Sequence, residues 1–327
     1  MSRTTPITVI VVSWKGADET LQAVGSLAQA RALVPPDGPR VSLVVVDNDG
    51  GALDRSTLLA RWPGATLLVN EENRGFGPAV NQAARIAGDG LLLLVNPDAR
   101  AVGEPFGQIA RAFEENPEAV AIAPRLVDEG VATGRLAAPG REDQFTFQLR
   151  RLPCLRDDAR ELLLLDHLVP NSRGRRRFRY ADRDPDEPLE VEQPAAAALA
   201  VRGEVFRAVG GFDESFVPAW FEDVDLCARL LERGTILYWP AARFEHRGGA
   251  ASESLGYARF LPAYYRNAIR YRRKKYSLPA RAAYRALLAA GMALRLAALP
   301  LRRLPRPRGE AASAYLRTLA VAAGRTR

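Results

Sequence analysis

The feature that most restricts the fold is a series of short apolar runs, each halting at polar residues. Ile7 to Val12 is continuous and rich in β-branched residues, and Val41 to Val46 repeats the pattern. Ala65 to Val69 is shorter, and Gly90 to Val95 is Leu and Val after its first residue. Runs without a polar face suit strands covered on both sides, the habit of a parallel sheet. Helical stretches fall between them at about 17–30, 78–87 and 104–115, and Val120 to Ala123 continues the series. This alternation predicts an α/β fold with a Rossmann-like, doubly wound, mostly parallel sheet and right-handed crossovers.

Ligands of such sheets bind beyond the carboxyl ends of the strands. At those ends stand Ser13-Trp14, Asp47-Asn48 and Asn96-Pro97-Asp98. The loop Asn73-Arg74-Gly75-Phe76-Gly77 precedes a helix with Pro78 near its first turn, and could set backbone N–H groups against phosphate. It is not a G-x-G-x-x-G fingerprint.

The second half concentrates its chemistry between residues 216 and 252. Glu222, Asp223 and Asp225 crowd one point, and Val224, Cys227, Leu230 and Leu231 then repeat at helical spacing as far as Gly234. The acids therefore open a helix, whose dipole favours their ionised form; they are expected to be anionic at neutral pH and to accept a proton or face a cation. The competing reading is that they only cap and solubilise the helix. Thr235 to Trp239 reads as a strand ended by Pro240, with His246 in the following loop, a position equally open to a plain surface histidine. Upstream, Asp128 to Glu192 is rich in Gly, Pro and charge, with one helical patch from Arg160 to Leu168: a cover over the site or a lid. Pro194 to Val201 is a small-residue run, Gly203 to Val209 a short helix, and Gly210 to Glu214 a turn.

Composition narrows the partners. Two cysteines, Cys154 and Cys227, cannot form a disulfide framework, and no basic-then-apolar segment precedes the first strand, so a reduced, cytoplasmic setting is expected. Ala286 to Leu294 is about half the length that crosses a bilayer, and Arg295 interrupts it. The net charge of +8 comes largely from three clusters: Arg173 to Arg179, Arg266 to Lys275, and Arg302 to Arg308. Nucleic acid, anionic lipid and diphosphates would each suit such charge. Apart from Tyr271 and Tyr276 the clusters lack aromatics interleaved for a stacking surface, and no nucleic-acid motif is present, so nucleic acid is set aside. Residues 257–327 are helical in propensity, with Leu287, Leu288, Leu294, Leu296 and Leu299 available for an apolar face on an anionic membrane surface.

Seven pieces in order resemble the family 2 glycosyltransferases of GT-A fold, in their bacterial rhamnosyltransferase-like branch. They are Val-Val-Ser-Trp at 11–14, Val-Val-Asp-Asn at 45–48, Asn73-x-Gly75-Phe76-Gly77 with Asn81, and Leu-Val-Asn-Pro-Asp at 94–98. Gly-Gly-Phe-Asp-Glu at 210–214, Phe-Glu-Asp-Val-Asp-Leu-Cys at 221–227, and His246 with Gly248, Gly249 and Ser252 complete the set. The resemblance spans about residues 5–276. It implies a catalytic domain over 1–256, with a nucleotide-binding half at 1–127 and an acceptor half at 128–256, followed by a basic helical extension at 257–327.

It further implies transfer of a sugar from a nucleotide diphosphate donor to an acceptor hydroxyl with inversion. Ser13, Asp47, Asn73, Gly75, Asn81 and Asn96 would then line the donor nucleotide, with Asp47 on the base. Asp98 and His246 would hold Mg²⁺ or Mn²⁺ on the diphosphate, and Asp223 would be the general base, with Trp220, Glu222 and Asp225 supporting the acceptor. Two departures stand out: Asn96 occupies the first acid position of the family's Asp-x-Asp, and 194–201 lacks a Gly-Ala-Cys signature. The expected donor is dTDP-rhamnose and the expected acceptor a lipid-linked saccharide at the inner membrane face, in cell-surface polysaccharide or glycolipid assembly; an oligomer is open. A soluble natural product or a protein as acceptor, and a non-catalytic nucleotide-sugar-binding protein, are the alternatives.

Overall fold

A computed structural model describes residues 5–128, 144–247, 256–301 and 307–325. Its strands are β1 (Ile7–Ser13), β2 (Val41–Asp47), β3 (Thr66–Val69), β4 (Leu91–Val95), β5 (Ala99–Val102), β6 (Ala119–Val127), β7 (Leu149–Arg150), β8 (Leu189–Glu190), β9 (Gln193–Pro194), β10 (Ala198–Arg202) and β11 (Thr235–His246). The main sheet has the order β3-β2-β1-β4-β10-β6-β11-β5, with β8 paired to β11. β1 to β4 run parallel to one another, and so do β6 and β11. The predicted parallel sheet is therefore present, and β10 is inserted in it antiparallel to both β4 and β6.

β10 was legible only as a small-residue run. Ala198, Leu199, Ala200 and Val201 are all inaccessible to solvent, and their small side chains fit a strand covered on both faces. Apolar residues of β1, β2 and β4 supply cores on both sides of the sheet. The helices Ala17–Ala32 and Pro105–Glu115 pack on one face, and Phe76–Ile86 and Glu222–Leu230 on the other.

Pro240 does not end its strand. β11 runs on to His246, with register shifts flanking the proline between Trp239 and Arg243, where a residue lacking an N–H is tolerated. His246 is consequently a strand residue, not a loop residue.

Three helices, Tyr257–Lys275, Leu278–Ala297 and Arg308–Ala322, form the C-terminal part. The face expected to meet a membrane is largely spent within the protein. Leu288 is fully buried beside Tyr284, Met292 and Tyr315, and Leu287, Leu296 and Leu299 pack on the same cluster. Of the predicted set only Leu294 is exposed. Part of the second basic cluster is likewise engaged: Arg272 is buried on Asp158, and Lys275 pairs with Glu232 at 2.6 Å, while Arg266 and Arg273 are exposed. No helix among the described residues is long and apolar enough to cross a membrane.

Candidate active site

The ends of β1, β2 and β4 meet as expected, and the structure shows how each polar residue there is held. Asp47 is fully buried: its Oδ1 accepts from the Asp49 N–H at 2.9 Å and its Oδ2 from the Leu53 N–H at 2.8 Å. The carboxylate thus fixes the 47–53 turn. Ser13, also buried, accepts a hydrogen bond from the Thr20 hydroxyl at 2.9 Å. Asn48, absent from the expected donor residues, holds the glycine loop. Its Nδ2 donates to Asn73 Oδ1 at 2.8 Å, while its Oδ1 accepts from Asn70 Nδ2 at 3.0 Å and from the Arg74 N–H at 3.1 Å. Asn73 Oδ1 also accepts from the Gly75 N–H at 2.8 Å.

Gly75 has φ +91°, and a side chain there would face the Pro218 carbonyl at 3.7 Å, so the glycine loop abuts the segment leading to the helix Glu222–Leu230. Asn81 makes the same connection. Its Oδ1 accepts from the Phe212 N–H at 2.8 Å and its Nδ2 donates to the Phe212 carbonyl at 2.9 Å, so its amide is engaged by the Gly210–Glu214 turn.

Asp98 and His246, far apart in sequence, come together because β5 pairs with β11 and sets His246 opposite Ala99. His246 Nε2 lies 3.4 Å from Asp98 Oδ1. Gln144, which no sequence pattern flagged, decides the imidazole's tautomer. Its Nε2 donates to Asp128 Oδ1 at 2.7 Å and to the His246 carbonyl at 2.5 Å, leaving its Oε1, 3.2 Å from Nδ1, to accept the ring proton. In neutral His246 the Nε2 lone pair then faces a carboxylate oxygen. Asp98 and His246 would offer a divalent ion one carboxylate and one imidazole, and diphosphate and water would have to complete its coordination. Asn96 bonds through its backbone N–H to the Ala197 carbonyl at 2.9 Å, which fixes the chain just before Asp98. The motif residues Gly248, Gly249 and Ser252 lie outside the described residues.

The acid cluster opens the helix Glu222–Leu230 as predicted, but its three members part company. Two successive residues, Trp220 at φ 74° and Phe221 at φ 71°, sit in the left-handed region, where side chains are disfavoured. Asn267, fully buried, holds the approach by donating to the Ala219 carbonyl at 2.8 Å, and Trp220 and Phe221 pack edge-on against Phe260 and Tyr264. Asp223 Oδ1 accepts from the Val224 N–H at 2.8 Å, and its Oδ2 from Gln193 Nε2 at 3.2 Å. Burial pushes the Asp223 carboxyl above its ordinary value; burial together with the Asp223 charge pushes Glu222 up to about 8. The expectation that the helix dipole keeps both acids anionic is overturned for Glu222, because loss of water outweighs the dipole.

Asp225 points elsewhere. It is fully buried, accepts from Arg229 Nε at 2.8 Å, and lies 2.5 Å from Lys274 Nζ. Arg229 in turn donates to the Val209 and Gly211 carbonyls, each at 2.7 Å. Asp225 therefore ties its own helix to the Gly210–Glu214 turn and to the helix Tyr257–Lys275.

Comparison with known proteins agrees with this architecture. The profile of the family described as "Glycosyl transferase family 2" matches residues 8–179. The chain belongs to that family. An N-acetylglucosaminyl-diphospho-decaprenol L-rhamnosyltransferase of Mycobacterium tuberculosis is 27% identical over 218 residues, covering 63% of this chain and 66% of the relative. The chain thus spans just under two thirds of that relative's length. A mannosyltransferase of Pyrobaculum calidifontis, solved with GDP-mannose and Mn²⁺, superposes with a TM-score of 0.52 at 16% identity, covering 99% of this chain and 88% of the other. GalNAc-T7, solved with UDP, GalNAc and Mn²⁺, gives a TM-score of 0.52 at 15% identity, covering 81% and 48% respectively. At these identities the two structures establish the shared GT-A fold of this family 2 chain.

Proposed function

We propose that this family 2 protein is an inverting glycosyltransferase in which Asp223 removes the acceptor proton. The observation that carries the reading is the Asp223 carboxyl, raised in basicity by burial and aimed by Gln193 Nε2 at 3.2 Å. As the acceptor oxygen attacks the anomeric carbon, its proton passes to Asp223. The bond from that carbon to the diphosphate oxygen breaks on the opposite face, and the electron pair leaves with the nucleoside diphosphate. A carboxylate base placed in this way contributes about 10²–10⁴-fold. A divalent cation held by Asp98 and His246 would neutralise charge on the departing diphosphate. The nucleoside would lie along Ser13, Asp47, Asn73, Gly75 and Asn96. Asn81 and Asp225 act as supports of the turn and helix.

The name of the M. tuberculosis relative favours rhamnose as the sugar moved and a lipid-linked, diphosphate-bearing saccharide as acceptor; with these we propose dTDP-rhamnose as donor and cell-surface polysaccharide or glycolipid assembly at the inner membrane face as the setting. Support for membrane contact moves from the C-terminal leucines to the exposed Leu165, Leu168 and Val169, which are followed by the exposed Arg173, Arg176 and Arg177. The test is nucleoside diphosphate release from dTDP-, UDP- and GDP-sugars, with and without Mg²⁺ or Mn²⁺, for the native chain and Asp223→Asn. Turnover with one donor, lost in the variant, supports the reading. Nucleotide binding with no turnover across donors and acceptors would instead indicate a nucleotide-sugar-binding protein.

A further inference from the structure

Close to the acid pair, which does not itself line it, lies a cavity of about 490 Å³ whose wall includes Gln193, Trp220, Phe221 and Val224 together with Arg150 and Arg179. We infer that this cavity is the anion site of the acceptor: Arg150 and Arg179 grip the phosphates of a diphosphate-linked saccharide whose hydroxyl reaches Asp223. The inference rests on the transferase reading and names the acceptor class that the site would select.

Position comes first. β7 and β9 form a two-residue ladder in which Arg150 pairs with Gln193, and directly paired residues project from the same face. Gln193 bonds Asp223, so the ladder sets a guanidinium next to the base. Arg150 is close enough for its charge to favour ionised Asp223. A diphosphate on the carbon one ring away from the attacking hydroxyl would therefore meet Arg150.

Charge comes second. Of the other ionic groups in the wall, Arg151 is matched with Glu192 at 2.7 Å, Asp157 with Arg160 at 3.3 Å and Asp158 with Arg272, and among the described residues Glu161 is the one wall carboxylate without an ion pair. Arg150 and Arg179 make no ion pair with any described residue, and the Arg150 Nε is buried without a hydrogen bond. Burial, and then the neighbouring charges of Arg150 and Arg175, lower the Arg179 guanidinium from its ordinary value; Glu161, also in the wall, opposes them more weakly. Two guanidiniums held near each other with little water make an unfavourable arrangement until an anion lies between them. Their planar forks match phosphate oxygens in pairs. The donor diphosphate is assigned to Asp98 and His246, neither of which lines this cavity.

The experiment is equilibrium binding without turnover, in the absence of divalent cation. The probes are a short-chain alkyl-diphosphate monosaccharide, the uncharged alkyl glycoside of the same sugar, inorganic pyrophosphate and a nucleoside diphosphate. The variants are Arg150→Gln, Arg179→Gln and the charge-keeping Arg150→Lys and Arg179→Lys. The charged saccharide should bind far more tightly than the neutral glycoside. Each Gln variant should weaken it by about tenfold to a hundredfold, the range for one charged hydrogen bond, with the Lys variants intermediate and nucleoside diphosphate affinity unchanged. Equal affinity for charged and neutral saccharides, or no change in any variant, overturns the inference. Pyrophosphate binding as tightly as the linked saccharide overturns the acceptor assignment and leaves a site for free anions. If the native chain releases no nucleoside diphosphate, the transferase reading fails, while this binding comparison still reads the cavity itself.

Discussion

Asp225→Asn separates support from chemistry at the acid cluster. Asp225 has no accessible side-chain surface, and its two cations are 18% and 36% exposed, so water can compensate each only in part. Removing one member of a fully buried pair costs about 3–5 kcal/mol; discounting for the exposed cations gives about 2–4 kcal/mol here. For a chain of this size that lowers Tm by about 3–6 °C. Lys274 keeps Asp213 at 3.0 Å, and Arg229 keeps the Val209 and Gly211 carbonyls, so the loss should stay within that range. Thermal and urea denaturation read the stability, while initial rates taken well below Tm read the chemistry. The variant should melt early yet turn over within about threefold of the native rate with an unshifted pH profile, since the Asp225 carboxylate bonds Arg229 and Lys274, whereas Asp223 bonds Gln193 and the Val224 N–H. An unchanged Tm with a rate loss of orders of magnitude would refute the reasoning and place Asp225 on the substrate.

Four further outcomes are expected. Asp223→Asn should lower kcat by about 10²–10⁴-fold while nucleoside diphosphate affinity, measured calorimetrically, is kept; a loss below tenfold would remove Asp223 as the base. Because the Glu222 carboxyl rises on folding from its ordinary 4.5 to about 8, the native state holds a proton that the unfolded chain has lost. Stability should therefore fall as pH climbs through that interval, while kcat/KM rises as Asp223 ionises; Glu222→Gln should flatten the first trend and leave the second in place, because Glu222 is still protonated while Asp223 ionises. Gln144→Ala, which frees the imidazole tautomer, should raise the Mn²⁺ concentration for half-maximal activity by about 10–100-fold, the usual cost of losing a ligand's own hydrogen-bond partner. Leu165→Ser with Leu168→Ser should reduce flotation with anionic vesicles and leave transfer to a detergent-soluble acceptor unchanged; equal flotation would move the contact surface elsewhere.

What was readable in the sequence follows physical range. β1, β2 and β4 announced themselves because a strand buried on both faces must be apolar throughout, and the residues at their ends mark where a parallel sheet exposes its binding edge. Asp98 and His246 were found as motif residues, yet nothing local could show that they meet. Their approach depends on the pairing of β5 with β11, and β5, Ala-Arg-Ala-Val, has no pattern of its own. Gln144, Gln193 and Arg150 carried no signal either, since they sit in or beside ladders of one or two residues inside an irregular stretch.

The same stretch shows why charge was misleading where apolar pattern was not. An apolar residue has one stable destination, so its period predicts its side of an element. An arginine has several: Arg272 is buried on Asp158 and over the Tyr284 ring at 3.9 Å, Arg229 braces backbone carbonyls, and Arg176 stays in solvent. Cluster counts cannot separate these fates, because each depends on an acceptor brought from a distant part of the chain. Arg150 and Arg179 become informative only after the other charges around the cavity have been matched. What then remains beside Gln193 is two guanidiniums against the one unpaired carboxylate of Glu161, an excess of positive charge near the proposed base that a neutral acceptor would not require.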